Sequence, residues 1–303
     1  MTPASYIGRF APSPTGPLHL GSLLTALASY LDARAHEGRW LVRMEDLDPP
    51  REQPGAATDI LQTLEHYGLY WDGDVWFQST RHSVYEAAVQ QLLERHQAYY
   101  CTCSRKDLQL LSANAYPGTC RGRFKQPHQP CSIRVQVEDN VIAFDDALQG
   151  HCEFNLQAEG GDFIIKRKDG LYAYHLAVVI DDAAQHITHI VRGSDLLDST
   201  PRHLLLQRLL ALPTPVYAHL PVLVNELGQK LSKQTFAAPV PKADPVPWLY
   251  ECLRALGQQP PQELALASRD ELLQWAVKHW SLNRVPRQMA QSATAFSLHT
   301  PSS

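Results

Sequence analysis

His19, Gly21 and Ser22 stand together at the end of a loop broken by Pro12, Pro14, Gly16 and Pro17. Free N–H groups at a helix start attract anions, a glycine there lets a phosphate approach, and a histidine can donate a ring N–H to a phosphate oxygen. Far downstream, Lys230-Leu-Ser-Lys-Gln234 follows Gly228 in a polar turn. Two lysines and a serine suit a triphosphate, because lysine is a point charge that can follow a phosphoryl group as charge develops on it. Either stretch alone reads better as a solvated turn, since short motifs are frequent by chance. Their co-occurrence in one chain is what is informative.

Three further groups of residues have chemical potential. Glu45-Asp46 ends the β-prone run Arg39–Met44, and carboxylates at the C-terminal edge of a parallel strand face the ligand crevice. Arg192 follows the apolar run Ile187–Val191, and a guanidinium is the natural bidentate partner of a carboxylate. Of the six cysteines, Cys101, Cys103 and Cys120 cluster, the third on a Pro-Gly turn, with Cys131 close behind. Three thiolates so near one another suggest zinc, which takes four ligands in a tetrahedron. Tyr116, Cys131 and His128 are candidates for the fourth, and ligand chemistry alone favours Cys131. Arg105, Lys106, Arg121, Arg123 and Lys125 make this segment locally basic, as an RNA contact or as a solvated loop.

The elements that must position these residues read as α/β. Tyr6–Phe10 predicts a strand. After Gly21, Leu23, Leu24, Leu27, Tyr30 and Leu31 recur at helical spacing, with Gly38 as the stop. Strand, tight loop and helix in that order form the first unit of a doubly wound fold. A helix around Asp59–Leu69, another over 83–95, strands over 132–137 and 141–144, and a strand followed by the apolar run Leu171–Ile180 continue the pattern. Tyr172 and Tyr174 would share one face of any strand there. Thr200-Pro201 predicts a helix start with Thr200 as N-cap. Residues 237–247 read as a Pro-rich linker, followed by helical stretches near 248–256 and 270–280 and a loose polar tail from Ser292.

Composition excludes little but is consistent. With 44% apolar and 19% charged residues the chain is an ordinary globular protein. A net charge of −4 makes it no general magnet for nucleic acid, so an RNA contact must come from a local patch. Met-Thr-Pro-Ala-Ser offers neither a basic nor an apolar leader region, and no apolar run approaches membrane-spanning length. A cytoplasmic monomer that does not bind membranes is the expectation.

The loop and the lysine pair resemble the paired ATP-binding signatures of class I aminoacyl-tRNA synthetases, written HIGH and KMSKS. Arg9-Phe-Ala-Pro-Ser-Pro-Thr-Gly16, Arg43-Met-Glu-Asp-Leu-Asp-Pro-Pro-Arg51 and Arg192-Gly-Ser-Asp-Leu-Leu-Asp-Ser-Thr-Pro-Arg202 look like the glutamyl/glutaminyl branch. The short chain and the cysteine cluster narrow the resemblance to truncated paralogues of glutamyl-tRNA synthetase. Two positions depart from the signatures: Ser22 stands where the full motif has a second histidine, and Gln234 where serine is usual. Ser22 can donate to a phosphate oxygen but has no cationic form.

The resemblance implies a Rossmann-type doubly wound parallel sheet with a zinc-binding insertion and a short helical C-terminal region. Residues 1–98 and 132–236 would form the two halves of the catalytic domain, 99–131 the insertion, and 237–303 the linker and helical region without an anticodon-binding domain. It implies that Arg9, Phe10, Ala11, Pro12, Ser13, Glu45, Tyr174 and Arg192 bind L-glutamate, with Glu45 on the α-amino group. His19, Gly21, Ser22 and Lys233 would bind ATP with Mg²⁺, and His19, Lys230 and Lys233 would act on the phosphates. It favours Tyr116 as the fourth ligand, beside Cys101, Cys103 and Cys120, of one structural zinc. The implied activity is tRNA-independent glutamate activation and transfer to the queuosine base at the wobble position of tRNA(Asp). Conventional glutamylation of tRNA(Glu) is the alternative enzyme. A non-catalytic glutamate or nucleotide sensor is the alternative without chemistry, for which Ser22 speaks and Lys230 and Lys233 do not.

Overall fold

A computed structural model describes residues 5–110, 115–231, 238–293 and 296. Ser232, Lys233 and Gln234 of the lysine loop lie outside the described residues. In chain order the elements are β1 (Ile7–Phe10), α1 (Leu20–Ala35), β2 (Arg39–Met44), α2 (Ala56–His66), β3 (Trp76–Phe77), α3 (His82–Glu94), β4 (Ala98–Cys101), α4 (Arg105–Leu110), β5 (Ser132–Val135), β6 (Val141–Asp146), β7 (Gly150–Asn155), α5 (Leu156–Glu159), β8 (Phe163–Lys166), α6 (Tyr174–Ala184), β9 (His189–Gly193), α7 (Thr200–Leu210), β10 (Val216–Leu220), β11 (Val222–Val224), α8 (Val246–Ala255), α9 (Arg269–His279) and β12 (Ala290–Ser292).

Two sets of parallel strands meet at β1. On one side β1, β2 and β3 pair in that order, with Ile7 opposite Arg39 and Arg43 opposite Trp76. On the other side β9 pairs with β10, and β9 is tied to β1 where Thr188 N–H donates to the Ile7 carbonyl at 2.9 Å. The chain leaves β1 for β2 on one flank and returns as β9 on the other, which opens a crevice at the strands' C-terminal ends. β4, β5 and β8 form a separate antiparallel sheet, and β6 and β7 a hairpin.

Helix α1 carries the first loop's chemistry and is held by packing. Leu23, Leu24, Ala26, Leu27, Ala28 and Leu31 are all buried, so its apolar surface is wider than one stripe. The strands cover one side. Leu249, Cys252 and Leu253 of α8 and Leu272, Leu273 and Ala276 of α9 belong to the same core. Each buried leucine contributes about 1.5–3 kcal/mol. Among the described residues no helix is long and apolar enough to cross a membrane.

Several expectations from the sequence shift. Helix α1 begins at Leu20 rather than after Gly21, with His19 as its N-cap. The apolar run over 171–180 is not a strand face: Tyr172 makes an isolated bridge to Lys166, and Tyr174 opens α6. A continuous apolar run suits either period, and here it is a helix buried along most of its length. Ser199 holds the N-cap position of α7, and Thr200 is its first residue, its hydroxyl taken up by Arg192. The Pro-rich stretch is not a free linker, for Pro239 bridges to His19 and the Val240 N–H donates to the Leu18 carbonyl at 2.9 Å. Ser292, the expected start of a loose tail, lies in β12 and pairs with Val224.

Candidate active site

The ends of β1 and β9, the start of α1 and residues 221–223 enclose a cleft of about 770 Å³. Every described residue assigned above to glutamate or ATP lines it: Arg9, Phe10, Ala11, Pro12, Ser13, His19, Gly21, Ser22, Glu45, Tyr174, Arg192 and Lys230. These come from five separate stretches of chain, brought together by the parallel pairing.

The cleft's charges are arranged unequally. Asp182 Oδ1 accepts from Arg9 Nε at 3.2 Å and from Arg43 Nη2 at 2.8 Å, all three residues being buried. Burial opposes ionisation of Asp182, but the two guanidiniums outweigh it and hold its carboxyl below the ordinary range. Arg192 is equally buried, yet among the described residues no carboxylate lies within 4 Å of it. Its N–H groups go to neutral acceptors: His219 Nε2 at 3.0 Å, Thr200 Oγ1 at 2.8 Å, the Leu196 carbonyl at 3.2 Å, and His203 Nδ1 and Tyr174 Oη at 3.3 Å.

Glu45 is the complementary case. Its Oε1 is buried without a hydrogen-bond partner, 3.6 Å from Arg43 Nη2. Burial pushes its carboxyl up to about 7, with Arg43 and Arg9 offsetting only part of the desolvation. Tyr174 lies between these poles. Burial raises its phenol to about 12, against the field of Arg192 and with that of Glu45. A buried cation without an acid and a buried acid with an unsatisfied oxygen are each costly alone. A ligand carrying both charges satisfies both.

At the other end, His19 caps α1. Its Nδ1 accepts from Ser22 N–H at 3.3 Å, so the neutral ring carries its proton on Nε2, 3.0 Å from Ser22 Oγ. A Cβ at Gly21 would lie 3.2 Å from the His19 ring, so glycine there spares the ring a tight contact. Lys230 is ion-paired with Asp195, which also lines the cleft. Together these groups present an N-terminal helix end, a hydroxyl and an ammonium to one space, the elements of an anion site.

Arg43, Asp146, Asp182, Asp195, Thr200, His203 and His219 were not anticipated from the sequence. The signals were present: adjacent aspartates inside an apolar helical run, and single histidines within α7 and the otherwise apolar β10.

The cysteine cluster forms a second centre, separate from the cleft. The Sγ atoms of Cys101, Cys103 and Cys120 lie within 4.8 Å of one another. Tyr116 Oη sits 3.4 Å from Cys101 Sγ and 3.7 Å from Cys103 Sγ, and accepts the Cys120 N–H at 3.0 Å. Gly161 makes this placement possible, since at φ +68° its Cβ would stand 2.5 Å from the Tyr116 carbonyl oxygen. Three sulfurs and a phenol oxygen converging on one point form a donor set that fits zinc. Cys131 is not in the group of three. Arg121, counted among possible RNA contacts, is bound to buried Asp162 through Nε at 2.8 Å and Nη2 at 2.6 Å.

Residues 7–284 match the family described as class I tRNA synthetases (E and Q), catalytic domain, and the chain belongs to that family. Among curated relatives, the glutamyl-Q tRNA(Asp) synthetase of Pseudomonas aeruginosa is 56% identical over 284 residues, covering 94% of this chain and 96% of that protein. The protein of the same name from Thiobacillus denitrificans is 54% identical, covering 94% and 97%. A crystal structure of a glutamate tRNA ligase from Elizabethkingia meningosepticum, in complex with its amino acid, superposes with a TM-score of 0.80 at 28% identity, over 97% of this chain and 67% of that one.

Proposed function

We propose that this protein activates L-glutamate with ATP, without tRNA, and transfers it to the queuosine base at the wobble position of tRNA(Asp). The observation that carries the amino-acid assignment is the buried Arg192 guanidinium, with no acid among the described residues within 4 Å of it, in the same cleft as Glu45, whose Oε1 has no hydrogen-bond partner among them. Arg192, with Arg9, takes the side-chain carboxylate of glutamate. Glu45 takes the ammonium, and Tyr174 and residues 10–13 fix the molecule between them. The names of the relatives support the acceptor.

The frame is of the Rossmann type, and the chemistry is positioning and charge stabilisation. The α-carboxylate of glutamate attacks the α-phosphorus of ATP, pyrophosphate leaves, and glutamyl-adenylate results. A hydroxyl of the acceptor then attacks the activated carbonyl, and AMP leaves. His19, Ser22, Lys230 and Lys233 hold the phosphates, and Gly21 leaves room for the His19 ring. Mg²⁺, when bound with ATP, supplies charge neutralisation on the phosphates. Cys101, Cys103, Cys120 and Tyr116 hold a structural zinc, outside the reaction.

Pyrophosphate exchange with glutamate and ATP, in the absence of RNA, tests the first step; its absence would sink the activation reading. Glutamate transfer to tRNA(Asp) with and without queuosine tests the second. Transfer to tRNA(Glu) instead would make the protein a conventional glutamylating enzyme.

A further inference from the structure

Arg192 differs from the buried arginines Arg9 and Arg43 in what it bonds to. Arg9 pairs with Asp182, and Arg43 with Asp182, Asp181 and Glu45, so each meets at least one acid inside the protein. Around Arg192 the acceptors are two imidazoles, two hydroxyls and a carbonyl. Each imidazole is held on its far side. Asp146 Oδ2 lies 2.6 Å from His219 Nδ1, so that nitrogen carries the proton and Nε2 turns its lone pair to Arg192 Nε. The Asp146 carboxylate is itself tied down by the N–H groups of Leu148, Gln149 and His219. His203 Nε2 lies 3.2 Å from His175 Nδ1, which leaves His203 Nδ1 to accept from Arg192 Nη1.

We infer that His203 and His219, the latter oriented by Asp146, are positioning residues that aim Arg192 while leaving its charge uncancelled, and so set the preference for an anionic over an amide side chain. The inference rests on the assignment of Arg192 to the substrate's side-chain carboxylate. A neutral imidazole can anchor an N–H as a carboxylate does, but it contributes no counter-charge. The acid that orients this anchor, Asp146, stands one ring away, on the far side of His219. The tightest anchors, on Nε and Nη2, hold the plane of the guanidinium. The 3.3 Å bond from Nη1 to Tyr174, which lines the cleft, is the one a ligand carboxylate can replace, while His203 keeps its hold on Nη1. Because the charge is unmatched, glutamate gains an ion pair with it that glutamine cannot make.

The test uses His203→Leu and His219→Leu, which remove the acceptor, against His203→Asn and His219→Gln, whose amide oxygens stand near the lost ring nitrogen. Pyrophosphate exchange is measured with glutamate, with glutamine and with varied ATP. The leucine variants are expected to raise the glutamate KM at least about tenfold, with the ATP KM little changed and the glutamate-to-glutamine ratio reduced; the amide variants should recover much of the loss. His203→Leu leaves no acid unpaired and keeps the test decisive if His219→Leu fails to fold. Equal losses for glutamate and ATP, or amide variants no better than leucine, would overturn the inference and make the rings structural. Arg192→Leu separates the two levels: an unchanged glutamate KM there refutes the substrate assignment itself, whereas its loss beside unaffected leucine variants refutes only the positioning role.

Discussion

Replacing Glu45 by glutamine should make the protein more stable and less active. Burial raises the Glu45 carboxyl from 4.5 to about 7, against the partial opposition of Arg43 and Arg9. Between those values the folded protein holds a proton that the unfolded chain releases, so this group's contribution to stability falls as pH rises through the window. At pH 8, where Glu45 is ionised, its burial costs about 3 kcal/mol. At pH 5 the cost is nearly absent, since the folded side chain is protonated. Glu45→Gln removes the titration, so the variant should exceed the wild type by up to about 3 kcal/mol at pH 8, a rise of roughly 5 °C in Tm, and by little at pH 5. The same change removes the partner of the substrate ammonium. A lost hydrogen bond to a charged group is worth about 1.5–3 kcal/mol, so the glutamate KM should rise about ten- to a hundredfold. In the wild type, glutamate should bind more tightly as pH rises through about 7. Thermal melts at the two pH values, with pyrophosphate exchange over a glutamate titration, check both arms. A variant less stable than wild type at pH 8, equally stabilised at both pH values, or with an unchanged glutamate KM would refute the reasoning.

Lys233→Ala should abolish pyrophosphate exchange in a protein that melts normally, and full activity would remove Lys233 from the mechanism. Elemental analysis should find about one zinc per chain, and Cys103→Ser should lose it and speed proteolysis between residues 99 and 131. If Tyr116→Phe keeps zinc while Cys131→Ser loses it, the fourth ligand is Cys131. Arg121→Glu removes the bidentate partner of buried Asp162 and should cost about 1–3 kcal/mol of stability, lowering exchange and RNA transfer together; normal stability with loss of transfer alone would make Arg121 an RNA contact.

What could be read in the chain was local. Proline and glycine spacing before His19, the helical recurrence from Leu23 to Leu31, and Cys101 and Cys103 with Cys120 on a turn each depend on residues a few positions apart, and each element formed. Periodicity failed where it is degenerate: the run that became α6 is apolar in either period, and only its packing between the other elements made it a helix. The tertiary structure decided which charges are matched. Nothing near Arg9 or Arg192 in sequence shows that the first meets Asp182 while the second meets His203 and His219. Nothing near Glu45 shows that its oxygen is left without a partner. The charge state and free valence of a buried group are set by desolvation and by atoms a few ångströms away, and those atoms arrive from strands and helices more than a hundred residues distant in the chain for Arg9, and from the packing around β2 for Glu45.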